Sequence, residues 1–129
     1  MAAQPEEAPY EPPPVPPAEE ATWDIVIAPG EELRVRSRTL RGRMVDFAIM
    51  QMTELGWGPW VEVARIDCCH GTVHRHLFTR EGGVLKDHQT IRTLSADASP
   101  QAIEEAFDTS MEEFLAEWEE NIRRWNSGK

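Results

Sequence analysis

The chain predicts an α+β fold: an antiparallel β-meander of four or five strands, covered by one long C-terminal helix and preceded by a disordered Pro/Glu-rich tail. Three observations predict it. Residues 33–39 alternate strictly between uncharged side chains and arginines. His70-Gly71 separates two β-rich runs, as a two-residue hairpin turn would. From Ile103 onward, apolar residues recur at helical spacing.

Residues 1–22 are expected to be disordered. Seven of the ten prolines lie in residues 1–24, with six acidic residues and no basic one. Such a segment has little apolar area to offset its ordering entropy. Residues 23–129 form the single folded domain. Trp23-Asp24-Ile25-Val26-Ile27 is a short apolar run that Pro29-Gly30 ends. It fits an edge strand or a docking segment.

Leu33, Val35 and Ser37 point one way, and Arg34, Arg36 and Arg38 the other. Arg41-Gly42-Arg43 is a turn. Met44 to Thr53 is apolar on both faces apart from Asp46, which suits a fully buried strand or a short helix. Gly56-Trp57-Gly58-Pro59 breaks the chain. Trp60 to Cys69 and Thr72 to Thr79 are the two arms of the hairpin. Val84 to Leu94 is a weaker fifth strand. Ser99 caps the helix and Pro100 takes its first position. Ile103, Phe107, Met111, Phe114, Trp118, Ile122 and Trp125 then form one continuous stripe. At about 1.5 Å per residue the helix would be about 39 Å long, longer than a small sheet is wide, so its end is expected to project.

Net charge is −10, spread as −6 over residues 1–24, +2 over 25–95 and −6 over 96–129. An acidic chain is steered away from nucleic acid as a whole, while a local basic strip can still meet phosphate. Nothing resembles a leader, and no stretch approaches the ~20 apolar residues of a membrane span. Cys68 and Cys69 are adjacent on a strand and point to opposite faces, which disfavours a disulfide between them. The expected compartment is the cytoplasm, with no membrane contact.

With His70-Gly71 as the turn, Cys69 pairs with Thr72, Asp67 with His74 and Arg65 with His76. Cross-strand partners share a face. One face therefore shows Arg65, Asp67, Cys69, Thr72, His74 and His76, and the other Ala64, Ile66, Cys68, Val73, Arg75 and Leu77. The first face supports three readings. As an acid–base site for phosphodiester cleavage, His74 is the general base, Asp67 orients it, His76 is the acid, and Arg65 and Arg36, with Arg34, hold phosphate. As a metal site, His74 and His76 would chelate zinc with Asp67 or Cys69, although the His-x₃-His-x-His spacing is no strong signature. As an ordinary polar sheet face, the histidines are structural. No metal is expected among these site residues, and the sequence does not specify a cofactor.

Trp60, Arg65, Ile66, Asp67, His70, Gly71, His74, Arg75 and His76 form a pattern that resembles a family of short uncharacterised bacterial and phage proteins. It also resembles small toxins of toxin–antitoxin pairs, which carry an arginine–aspartate strand followed by histidines. The resemblance covers about 20 residues, with Ile66 where an aromatic is expected and Cys68-Cys69 in place of more polar residues. It implies an RNA-directed activity under a partner's control. The candidate partners are RNA and a protein bound through the C-terminal helix. The alternative is a non-catalytic interaction module with structural histidines.

Overall fold

A computed structural model describes residues 9–56, 58–69, 71–81, 83 and 89–128. Among the described residues, six strands, β1 (Glu19–Ala28), β2 (Glu31–Leu40), β3 (Arg43–Glu54), β4 (Trp60–Cys69), β5 (Thr72–Leu77) and β6 (Gln89–Thr93), precede the helix α1 (Pro100–Asn126). Each strand pairs antiparallel with the next, giving one sheet in sequence order. The α+β meander is therefore present with six strands rather than four or five. The apolar run at Trp23 joins as an edge strand, and Gln89–Thr93 forms the other edge. Residues 84–88 of the expected fifth strand lie outside the described residues.

The alternation read from the sequence sets the two faces. Leu33, Val35, Phe47, Ile49, Ala64, Ile66 and Val73 are all buried, with Ile103, Ala106 and Phe114 of the helix packed on them. Phe107 meets Phe47 edge-on at 5.4 Å between ring centroids. β3 is buried along nearly its whole length, as a central strand apolar on both faces should be.

Ser99 caps the helix by accepting a hydrogen bond from the Ala102 backbone N–H at 3.2 Å, and Pro100 follows at the first position. The helix lies along β3. Glu104 binds Arg43 through both carboxylate oxygens, Gln51 donates to the Trp118 carbonyl at 2.9 Å, and Asn121 donates to Gln51 Oε1 at 3.0 Å. Helix length therefore has to be compared with strand length rather than with sheet width. Twenty-seven helical residues at about 1.5 Å and twelve strand residues at about 3.3 Å both give about 40 Å. The expected projecting end does not occur. Trp125 is buried, the Arg80 guanidinium lies 5.4 Å over its ring, and Arg80 donates to the Asn126 carbonyl at 3.3 Å. Arg75 of β5 points to the same side and pairs with Glu113 and Glu117.

The disorder expected over residues 1–22 does not extend to residues 9–22; residues 1–8 lie outside the described residues. Pro9 bridges to Ser95, and the Tyr10 backbone N–H donates to the Leu94 carbonyl. The Tyr10 ring enters the core, and its hydroxyl donates to the Val45 carbonyl at 2.6 Å. One aromatic anchor thus offsets the ordering entropy that the proline-rich composition alone does not. Gly71 makes the close approach of this N-terminal strap, residues 9–18, possible. Its φ is +79°, and a Cβ there would sit 2.5 Å from Pro9 Cβ and 2.9 Å from Pro9 Cα. Gly71→Ala is expected to destabilise the fold by about 1–3 kcal/mol, read as a lower urea midpoint.

Candidate acid–base site on the hairpin face

The hairpin adopts the register that the His70-Gly71 turn predicts: Ala64 opposes Leu77, Arg65 opposes His76, Ile66 opposes Arg75, Asp67 opposes His74, Cys68 opposes Val73 and Cys69 opposes Thr72. Gly71 takes the positive φ of the turn. His70, and with it the expectation that it is a turn residue, lies outside the described residues, as does the Cys69 side chain. Ile66, Val73 and Ala64 are buried under the helix. Arg65, Asp67, His74 and His76 therefore stand together on the opposite face, half-buried.

The contacts within this group differ from direct cross-strand pairing. Asp67 reaches diagonally to His76, with Oδ1 at 3.4 Å from Nε2, rather than to His74. Its Oδ2 lies 3.8 Å from Arg65 Nη1. Thr72 Oγ1 lies 3.0 Å from both ring nitrogens of His74. The two imidazoles meet edge to face, with centroids 5.9 Å apart. Arg65 gives Nε and Nη2 to Glu62 at 2.7 and 2.9 Å, so Glu62 occupies the bidentate fork that phosphate was expected to take. This contact is the main reason that the guanidinium is held even more firmly protonated. The same guanidinium lies 5.9 Å from the centroid of Phe78.

Glu62 is the supporting residue that the sequence reading missed, and Thr72 was placed on this face without a role. Thr72 was detectable, since it lies two positions before His74 on the same strand face. Glu62 was not, because its side of the sheet depends on a register shift between Gln51 and Met52.

The arginine strip of β2 lies on this same face and is matched by acids. Arg36 contacts Asp46 at 3.1 Å and Glu20 at 3.3 Å, Arg38 lies 3.7 Å from Glu20, and Arg34 binds Glu32 at 2.8 Å with Asp24 at 3.8 Å. Arg34 also lies over Trp60 at 5.5 Å. Burial pushes the Asp46 carboxyl above its ordinary range, against the pull of Arg36. Arg34 and Arg36 are thus brought to the face of the histidines, but each already holds a carboxylate.

Cys68 carries a free thiol on the helix side. Burial, with Asp46 next in importance, pushes it up to about 12, far from the range of a nucleophilic thiolate. Among the described residues, no three His, Cys, Asp or Glu side chains converge on a position that could hold a metal ion. A cavity of about 810 Å³ opens at the far end of the hairpin, walled by Leu55, Val61, Phe78 and Trp125, with Glu62 and Arg80 also in its lining. No helix is long and apolar enough to cross a membrane among the described residues.

Residues 18–124 match the family model described as Domain of unknown function (DUF7718). No curated protein and no solved structure matches the chain.

Proposed function

We propose, for a chain that belongs to the DUF7718 family, that the hairpin face is an acid–base site acting on the phosphodiester of single-stranded RNA. The observation that carries the reading is the grouping of two imidazoles, 5.9 Å apart, with Asp67 and Arg65 on one sheet face. Transesterification needs a base to take the proton of the attacking hydroxyl, an acid to protonate the leaving oxygen and a cation for the phosphate charge. His76, with Asp67 at ion-pair distance, is the base in this reading. His74, with Thr72 at 3.0 Å, is the acid. This exchanges the two roles expected from the sequence, because the carboxylate lies by the other ring. Arg65 Nη1 faces the phosphate, while Glu62 fixes the rest of the guanidinium. Arg34 and Arg36 flank the site and would contact substrate only by exchanging a carboxylate partner.

The second reading is a non-catalytic interaction module, which the largely apolar cavity at Phe78 and Trp125 favours. The helix stripe itself is turned to the sheet: Ile103, Phe114 and Trp125 are buried, so a partner on the helix would meet Leu115 and its charged neighbours.

A cleavage assay separates the two. Purified protein in EDTA, incubated with single-stranded RNA, is expected to give products ending in 2′,3′-cyclic phosphate. Asp67→Asn should lower the rate by about 10²-fold, within the range of a removed acid–base contribution. RNA left intact at micromolar enzyme, or a rate that Asp67→Asn does not change, would leave the interaction reading standing alone.

A further inference from the structure

The two edges of the sheet are built differently. β6 has five residues, Gln-Thr-Ile-Arg-Thr, four of them exposed, and includes Arg92. A short, polar and charged strand is a protected edge. β1 has ten residues and is largely exposed, with no lysine, arginine or proline. Trp23 is 40 % exposed and Val26 is 74 % exposed. This edge, unpaired among the described residues, presents a row of open backbone hydrogen-bonding groups beside apolar side chains.

We propose that β1 pairs antiparallel with β1 of a second copy of this chain, about a two-fold axis through Trp23. Two observations select the occupant and the register. First, two of the three carboxylates of β1 do not repel a second copy strongly, because the chain's own arginines hold them: Glu20 lies by Arg36 and Arg38, and Asp24 by Arg34, while Glu19 lies at the strand's end. Second, a two-fold normal to the sheet keeps like faces together, so only registers centred on a residue are allowed. Centring on Thr22 sets Glu20 against Asp24 twice, and centring on Asp24 sets it against itself. Centring on Ile25 draws in the irregular stretch between Val26 and Ala28. Centring on Trp23 places Thr22 against Asp24, Ala21 against Ile25 and Glu20 against Val26, with the two indoles together. No carboxylate opposes another.

Trp23 opposes Val35, which is buried on the helix side of the sheet, so the indole pair forms on that side next to Ile25. The twelve strands then form one sheet, and both histidine faces look out from the same side. Growth stops at two copies, because each outer edge is β6.

Sedimentation velocity of the full chain is expected to give a dimer at micromolar concentration. Trp23→Lys and Trp23→Glu should each sediment as monomers, and mixing them in equal amounts should restore a dimer, which also shows that both variants fold. Under mild oxidation, Trp23→Cys should crosslink between chains and Thr22→Cys should not. A wild type that stays monomeric to 100 μM, as an upper test concentration of about 100 times a micromolar Kd, would overturn the proposal. So would dimers that persist in both charge variants, or crosslinking at Thr22→Cys as fast as at Trp23→Cys.

Discussion

His76→Gln is expected to lower RNA cleavage by about 10²–10⁴-fold, the loss typical of a removed general base. The substitution keeps a polar side chain on a half-buried surface position, so the urea midpoint should stay close to wild type. The pH profile gives the sharper test. A base must be deprotonated to act, so its protonation sets the acid limb of the rate profile. His76→Gln should flatten that limb, and His74→Gln should flatten the alkaline limb, where the acid loses its proton. If the two variants act the other way round, the approach of Asp67 Oδ1 to within 3.4 Å of His76 Nε2 does not define the base. The same pair of variants also tests the resemblance to small toxins. A host expressing the wild type should grow slowly, and one expressing His76→Gln should grow normally.

Tyr10→Ala carries the largest expected cost in stability, about 3–5 kcal/mol, as for other large aromatic-to-alanine truncations. The ring is 8 % exposed and lies among Phe47, Leu94 and the helix, and its hydroxyl donates to the Val45 carbonyl. Tyr10→Phe keeps the ring and removes only the hydrogen bond, so it should cost about 1 kcal/mol. The two variants also differ in how stability depends on pH. Burial, reinforced by Asp46 and Cys68, pushes the phenol up to about 12 from its usual 10.0. The folded state thus favours the neutral phenol. That contribution is fully present below pH 10 and is lost as pH rises through about 12. Urea titrations across this range should show a decline in the wild type that is smaller in Tyr10→Phe, where the buried Cys68 thiol still contributes. Equal declines in both would place the alkaline loss elsewhere.

The hairpin register was legible because two independent signals agree. A glycine marks the turn, and the alternation of Ile66, Cys68 and Val73 against Asp67 and His74 marks the faces. The helix was legible from Ser99-Pro100 and its apolar stripe. Contacts that run diagonally or depend on register irregularities were not. Nothing in the order of residues says that Asp67 turns to His76 rather than to the directly opposed His74, because side-chain rotamers decide it. Glu62 comes beside Arg65 only because the β3–β4 pairing shifts by a residue. Apart from Glu32, two residues before Arg34 on the same strand, the counter-charges of the arginine strip come from Glu20, Asp24 and Asp46 on neighbouring strands, and only the assembled sheet brings these in. The strap was hidden by composition: prolines and glutamates outnumber the single tyrosine that anchors it.

The ion pairs of Arg75 with Glu113 and Glu117 have a consequence for the opposite surface. Arg75 lies between His74 and His76 in sequence and points the other way. A slip of β5 by one residue would invert the strand, moving both imidazoles under the helix and the guanidinium away from its two carboxylates. The slipped state would leave a cationic group without its partners and two helix carboxylates facing an imidazole in a half-buried seam. The helix thus acts as a latch on strand alignment, and the spatial phase of the histidines is fixed by charges that never touch them.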